Sequence, residues 1–496
     1  MNLGQNIRSG AKWLATGGLL GQLLQFAFGI VLARLLVPED FGMLVTISVF
    51  TGLAGFVAGG GMGQALVQAK EAGTRDCNVV FTLQLGIGIA IYLFFFAIAP
   101  WFSSWFGNPL YQDLLRVSAL TFLLRPFGNV GTALLARDMR FKARALAGFV
   151  NACVASSATV AMAWTGMGAW SLVLGGLLVS LLDVVSSVVL AGWRPAIHFD
   201  STIARRMGSY GFQASANDLL IYLRDQTPNF IISRLAGPGP VGLFNKGDSL
   251  SRIPVQTISG SVYQPVFRAL SQAQDNLDQS RYLYFRAITL VTVYTFPFYV
   301  GLWWLADPFI RTVYGEVWTP AAGPLQVLAI AGLFRCIENQ SGAVLAAQKK
   351  LAQEFWLQAQ TWILVTIAAL AGLKWGIDAV AWGLLLAMIY TAARMAILAT
   401  ASLRASLLDL ARAMQPALIL NGVLYLGLSL LDASIGEMRQ ASPALYLGCM
   451  SLAGGLIYAL CFLWLPLPAL ANEVARWKSL MRLPQFRGVK GGGGDE

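Results

Sequence analysis

The chain has 496 residues, of which 56% are hydrophobic and only 12% are charged, and its mean hydropathy is +0.62. Soluble domains carry about 25% charged residues, so the composition excludes an ordinary soluble protein and indicates a membrane protein. The formal net charge is +11, but the basic residues fall mostly in loops between apolar runs, where they act as orientation signals. We therefore expect no nucleic-acid partner. The five cysteines lack metal-ligand spacing, so we expect no metal and no cofactor.

Apolar runs long enough to cross a bilayer recur along the whole chain. A spanning helix needs about 20 mostly apolar residues, and by this measure the sequence predicts an all-α integral membrane protein with about 14 transmembrane helices. The predicted spans are residues 11–36, 40–66, 78–100, 112–136, 146–165, 168–191, 209–235, 241–268, 284–306, 321–346, 355–373, 376–400, 413–431 and 443–465. The seventh and eighth of these are the weakest, because both carry charges.

The loops between the spans alternate in charge. Most loop lysines and arginines fall on the side of the N-terminus, and the other side holds only Arg34, Arg234, Arg311, Lys374 and Arg439. The positive-inside rule therefore predicts that both termini are cytoplasmic. The first residues show no cleavage site, so we expect no removable signal peptide. The outward loops are too short for a catalytic domain, so we expect no enzyme activity. The glycine-rich C-terminus is predicted to be a flexible polar tail.

One short motif occurs twice. RLLVPEDFG at residues 34–42 and RLAGPGPVG at residues 234–242 share Arg, Leu, Pro and Gly in register. Six predicted spans separate the copies, so both are outward turns with the same orientation. This predicts two six-helix lobes related by a pseudo-twofold axis along the membrane normal, plus two C-terminal helices. The predicted boundaries are residues 1–200 and 201–402 for the lobes, 403–470 for the extra helices and 471–496 for the cytoplasmic tail.

The two prolines and two glycines of this motif suggest a mechanical role. A proline halts a helix and donates no backbone hydrogen bond, and a glycine permits a tight return of the chain. We therefore predict that Pro38, Gly42, Pro238 and Gly242 form a hinge at the outer end of the lobes.

Several ionisable side chains lie near the middle of predicted spans, where they are costly and indicate a functional site. The basic ones are Arg125, Arg224, Arg252 and Arg335, and the acidic ones include Asp225 and Glu338, with Asp248 closer to the outer face. An arginine-lined cavity would suit a phosphate-bearing ligand, because guanidinium groups bind phosphate oxygens in pairs. The alternative is structural, because Asp248 with Arg252 and Arg335 with Glu338 have the spacing of ion pairs on one helix.

Polar residues also form a stripe along the eighth span. Asn245, Ser249, Arg252, Gln256, Ser259 and Tyr263 follow one another at steps of 4, 3, 4, 3 and 4, which places them on one helical face. The first span offers Lys12, Gln22 and Gln25. We expect these faces to line a water-filled cavity.

Four segments resemble a known family. The segment GLFNKGDSLSRIPVQTISGSVYQPVFRALSQAQDN at residues 242–276 resembles the second lobe of bacterial Wzx-type oligosaccharide flippases. ALLARDMRFKARAL at 133–146 resembles their connection between the fourth and fifth helices, and ARLLVPEDFGML at 33–44 with GMGQALVQ at 61–68 resembles their first turn and second helix. These flippases belong to the superfamily of multidrug, oligosaccharide-lipid and polysaccharide (MOP) exporters, which share the MATE-like fold.

The resemblance implies a function and a site. It implies alternating access of two lobes that turn an undecaprenyl-diphosphate-linked oligosaccharide across the bacterial inner membrane for polysaccharide biosynthesis, driven by H⁺ or Na⁺. Within the matching segment, the resemblance implies that Lys246, Arg252 and Gln256 belong to the binding site. The ion-coupling acids would be Asp225, Glu338 and Asp248. A polymerase and a chain-length regulator of the same pathway would be partners.

Other functions remain open on the sequence. A lipid II-type flippase would have the same fold and a related diphosphate cargo, but the segments fit it less well. A multidrug or cation antiporter would favour an acid in the first helix, and none occurs between Lys12 and Arg34. A membrane glycosyltransferase or polymerase would need a larger outer loop. A channel agrees least with two lobes whose polar helices face each other.

Overall fold

The computed structural model describes residues 20–59, 62, 63, 66 and 73–482, and for residues 206–217 it describes the backbone only. These residues form helices and turns without a β-strand. In chain order the α-helices are α1 (Leu20–Leu35), α2 (Pro38–Gly59), α3 (Thr74–Phe106), α4 (Leu110–Ala119), α5 (Thr121–Arg137), α6 (Phe141–Trp164), α7 (Ala169–Ala191), α8 (Ser201–Ala236), α9 (Pro238–Pro254), α10 (Gly260–Gln272), α11 (Leu277–Val313), α12 (Ala322–Ala347), α13 (Leu351–Gly372), α14 (Ile377–Ser402), α15 (Leu407–Ile435), α16 (Met438–Ala441), α17 (Pro443–Trp464) and α18 (Ala471–Leu480). A π-helical turn (Val255–Ser259) joins α9 to α10, and 3₁₀ turns occur at Glu316–Ala321, Leu373–Trp375 and Pro468–Leu470.

Eleven helical segments of the described chain are long and apolar enough to cross a membrane. The described part of the first span, α1, is apolar but shorter. Helix α8 and the α9–α10 pair correspond to the two charged spans, and they do not reach the same apolar threshold. The predicted all-α membrane fold is confirmed, and the helices are compatible with about 14 spans.

The observed helices differ from the predicted spans mainly at their ends. Helices α3 and α11 have 33 and 37 residues, whereas about 20 suffice for the bilayer core. Their additional N-terminal turns carry charged residues, Arg75 and Asp76 in α3 and Asp278 and Arg281 in α11.

Asp200 precedes α8 and caps it, because its side chain accepts hydrogen bonds from the backbone N–H groups of Thr202 and Ile203. The pKa of Asp200 is lower than its ordinary value. The largest cause is the hydrogen bond from the Ile203 N–H, and the Thr202 N–H and the nearby positive charge of Arg75 also contribute.

The chain divides into two compact units, which do not follow a single cut in the sequence. Unit 1 comprises Met1–Gly247, Val313–Pro324 and Gln358–Ala387, and unit 2 comprises the remaining segments, Asp248–Thr312, Leu325–Leu357 and Met388–Glu496. The lobe boundaries drawn from the repeat stay a prediction.

Helices in unit 1 approach one another through small residues. A Cβ atom added to Gly88 would overlap the backbone carbonyl of Phe122, and one added to Gly175 would overlap Thr159. Phe102, Tyr111 and Phe122 are almost fully buried beside these contacts. Close approach at small residues is how membrane helices gain packing energy without a hydrophobic driving force.

Unit 2 has its own buried core. Tyr284 and Tyr299 on α11 are almost fully buried, and the Tyr284 hydroxyl hydrogen-bonds the Ser341 hydroxyl of α12 at 2.9 Å. The last two long helices, α15 and α17, pack on each other through apolar residues that include Leu424, Leu428 and Met450.

Candidate functional site

The two copies of the repeated motif contact each other reciprocally in unit 1. A Cβ atom on Gly42 would overlap the carbonyl oxygen of Pro238, and one on Gly242 would overlap the carbonyl oxygen of Pro38. Each glycine therefore allows the start of the other copy's helix to pass at backbone distance. Neither glycine has a positive φ, so their role is close approach between helices, and the expectation of a tight chain return at these glycines is corrected.

The segment between α11 and α12 binds the first copy of the motif. The Arg34 guanidinium donates from Nε to the carbonyl of Val313 at 2.9 Å. The indole Nε1 of Trp318 donates to the carbonyl of Ala33 at 2.7 Å. Trp318 is almost completely buried, so these bonds fasten the end of α1 to this segment inside unit 1.

Lys246, a predicted binding residue, lies in a cage of aromatic rings. Its Nζ is 4.5, 4.7 and 4.9 Å from the ring centroids of Phe41, Tyr314 and Trp318. Aromatic faces carry partial negative charge and attract a cation within about 6 Å. The cage therefore stabilises the ammonium group midway along α9.

Arg224 and Asp225 on α8 bind each other. The Arg224 Nε lies 3.0 Å from Asp225 Oδ1, and its Nη1 donates to the side-chain oxygen of Gln358 on α13 at 2.6 Å. Three residues after Arg224 on α8, Thr227 Oγ1 accepts a hydrogen bond from Trp362 Nε1 at 2.8 Å. The two predicted residues thus form part of a polar contact between α8 and α13.

Three predicted residues of unit 2 meet at one carboxylate. Asp248 accepts from Arg252 Nε at 2.7 Å through Oδ2, and its Oδ1 lies 3.5 Å from Arg335 Nη2 on α12. Asp248 and Arg335 are buried, and Arg252 is partly exposed. Arg252 follows the start of α9 by fourteen residues, or about 21 Å along the axis. We call these residues the Asp248 cluster.

A π-helical turn follows the Asp248 cluster and changes the register of the polar stripe. Ser259 is fully buried, and its hydroxyl accepts from Asn339 Nδ2 at 2.9 Å and from Gln340 Nε2 at 3.1 Å. Gln256, predicted to share its face, is exposed. The stripe therefore does not continue as one face beyond Arg252, because the i→i+5 bonds of a π turn rotate the residues that follow.

The remaining predicted residues lie elsewhere. Glu338 is buried on α12, one turn after Arg335. Arg125 is exposed, with its guanidinium 5.3 Å from the ring centroid of Phe122 on its own helix. Gln22 and Gln25 are exposed on α1. Lys12 lies outside the described residues.

Sequence reasoning missed the partners that come from distant helices. Trp318, Tyr314 and Phe41 carry no charge, so the search for charges at bilayer depth passed over them. A tryptophan and a tyrosine four residues apart beside a loop predicted to face outward were the available signal, since both residues concentrate at membrane interfaces. Asn339 and Gln340, directly after Glu338, are two amides in an apolar span, and polarity alone could have identified them.

A match to a known protein family covers the segments described above. A family model described as "Polysaccharide biosynthesis protein" matches residues 31–323. This range includes both copies of the repeated motif and the whole of α9, on which Lys246, Asp248 and Arg252 lie.

Two curated relatives are about one quarter identical. One is the lipopolysaccharide biosynthesis protein WzxC of Escherichia coli, 25% identical over 403 residues that cover 78% of this chain and 80% of that protein. Another is the succinoglycan biosynthesis transport protein ExoT of Rhizobium meliloti, 26% identical over 309 residues that cover 62% of each chain.

Solved structures with the same fold cover most of the chain. The lipid II flippase MurJ in an inward closed conformation matches with a TM-score of 0.70 and 16% identity, over 95% of this chain and 99% of that one. An inward-facing multidrug resistance MATE family transporter of the MOP superfamily matches with a TM-score of 0.62 and 16% identity, over 77% and 94%. These likenesses confirm the predicted MOP fold.

Proposed function

The chain belongs to the polysaccharide biosynthesis protein family, and from that premise we propose that it is a flippase for an undecaprenyl-diphosphate-linked oligosaccharide. The relatives described above are named for lipopolysaccharide biosynthesis and for succinoglycan transport. The fold is shared with a lipid II flippase and with a multidrug transporter. The protein would act in the bacterial inner membrane with both termini in the cytoplasm, supplying repeat units to a polymerase and its chain-length regulator.

One observation carries the proposed site, namely the carboxylate of Asp248 held by the guanidinium groups of Arg252 and Arg335. A guanidinium binds carboxylate and phosphate oxygens with the same two-pronged geometry. A diphosphate reaching Arg252 could therefore replace the carboxylate without leaving the arginine uncompensated at bilayer depth. Arg252 is the partly exposed member of the cluster, so cargo would reach it first.

The translocation cycle follows from this exchange. The diphosphate binds the Asp248 cluster while the lipid tail stays in the bilayer, and the lobes then close one side and open the other about the hinge at Pro38, Gly42, Pro238 and Gly242. Asp248, displaced from Arg252, becomes available to H⁺ or Na⁺, and Asp225 and Glu338 are the other acids proposed for coupling. In this scheme the cargo path also contains Arg224, Gln256, Arg125, Lys12, Gln22 and Gln25, whereas Lys246 stays in its ring cage and stabilises α9.

The test replaces Arg252 and compares it with a matched arginine. Arg252→Gln should abolish polymer export in cells that depend on this protein and leave lipid-linked repeats on the cytoplasmic face. Arg311 also follows an aspartate by four residues, with 3.8 Å between the charged groups, so Arg311→Gln is the control and should leave export close to normal. Both variants should insert in the membrane in equal amounts.

The outcome also separates the alternatives. Normal export by Arg252→Gln would reject the site. Failure of the wild-type protein to move lipid-linked repeats, with movement of lipid II or of cationic drugs instead, would reject the cargo and leave the fold assignment intact.

A further inference from the structure

The last described helix, α18, is fastened to unit 2 and is absent from the proposed transport cycle. Arg286 on α11 binds Glu473 at 3.0 Å and the carbonyl of Ala469 at 2.8 Å. The Trp477 indole donates to the Tyr294 hydroxyl at 2.8 Å. Leu470, just before the helix, is fully buried. These contacts hold α18 at a fixed level beside α11.

A spanning helix of unit 2 ends at that level. Trp464 is the last residue of the spanning helix α17, and the Lys478 ammonium lies 4.6 Å from its ring centroid. Trp464 and Trp477 thus lie near the point where α17 ends, and tryptophan concentrates at the boundary between acyl chains and headgroups.

The outer edge of α18 has the composition of a lipid-binding helix. Trp477, Leu480 and Met481 are 40%, 66% and 46% exposed. Arg476 and Arg482 flank them, both exposed and neither in an ion pair within the described part of the chain. Large apolar side chains between arginines, on a helix at headgroup level, are typical of binding in the membrane plane.

We propose that α18 lies in the bilayer surface and binds the headgroups of anionic lipids. Arg476 and Arg482 contact the headgroup phosphates, and Trp477, Leu480 and Met481 enter the boundary of the acyl chains. Zwitterionic lipid satisfies the apolar side chains equally well, so the charge complementarity of the arginines is what selects an anionic headgroup. The Arg286–Glu473 pair transmits this attachment to α11.

The first experiment measures lipid binding to the full chain. Phosphatidylglycerol and phosphatidylcholine are titrated onto the purified protein and the bound lipids are counted by native mass spectrometry. Each arginine near an anionic surface contributes about a five-fold change in affinity, so Arg476→Gln with Arg482→Gln should weaken phosphatidylglycerol binding about 25-fold and leave phosphatidylcholine unchanged. Arg404→Gln with Arg412→Gln removes the same charge from other exposed arginines and should have a smaller effect.

The second experiment locates the helix independently of charge. A nitroxide on Leu480→Cys, in a variant without the five native cysteines, is examined in nanodiscs for its accessibility to oxygen and to a water-soluble nickel chelate. Oxygen access with protection from nickel is expected. Full nickel access would place the edge in water, where it would suit a protein partner, and would overturn the proposal. Unchanged phosphatidylglycerol binding by the Arg476 and Arg482 double variant would overturn it as well.

Discussion

Two cations on α9, Lys246 and Arg252, are stabilised in different ways. Lys246 lies less than 5 Å from the ring centroids of Phe41, Tyr314 and Trp318, whereas Arg252 binds the carboxylate of Asp248. The ring faces are built into the packing of unit 1, but a carboxylate can be exchanged for another anion. The comparison teaches that two cations from one polar stripe need not share a role. Lys246 fits a structural contact within unit 1, and Arg252 fits a ligand site.

The largest expected effect concerns the glycines at which the two copies of the repeated motif contact each other. Gly42→Ala should largely abolish the folded, membrane-inserted protein, because the new Cβ would overlap the backbone of Pro238, which cannot move without displacing α9. Folded yield is measured by size-exclusion chromatography after detergent extraction. Gly29→Ala is the control, since nothing lies within 4 Å of its added Cβ. Equal yields of the two variants would show that the reciprocal contact is dispensable.

The next prediction concerns the shared carboxylate. Asp248→Asn should lower the free energy of unfolding by about 3 kcal/mol, because removing one partner of a buried ion pair leaves charge uncompensated. Thermal or denaturant unfolding in detergent gives the comparison. Since Asp248 binds two guanidinium groups, Asp248→Asn should be more destabilising than Arg252→Gln. The reverse order would mean that Asp248 is not the centre of the cluster.

The smallest expected effect belongs to Lys246. Lys246→Met keeps most of the side-chain volume but loses the cation, so stability should fall by about 1 kcal/mol. Export should persist in this variant and fail in Arg252→Gln. Lys246→Arg retains a cation over the rings and should recover the stability. Loss of export in Lys246→Met with unchanged stability would return Lys246 to the cargo site and remove the distinction between the two cations.

The fold was largely predictable because its signals are local. The length of the apolar runs identified the spans. The low hydropathy of α8 and of the α9–α10 pair followed from charges visible in the sequence. The Asp248–Arg252 pair was accessible for the same reason, since residues four apart on a helix are neighbours. The continuous stripe through Ser259 was not predicted correctly, because a π turn adds a rotation that a fixed helical period does not contain.

The sequence by itself determined that this is a membrane protein, that a motif is repeated, and which helices carry charge at bilayer depth. Hydropathy, spacing along one helix and internal similarity are properties of the chain and require no neighbour. Only the tertiary structure decided that Gly42 and Pro238 pass at backbone distance, that Lys246 is surrounded by rings and that Arg335 shares Asp248 with Arg252. Each of these depends on the angle and register at which two helices meet, and packing sets both.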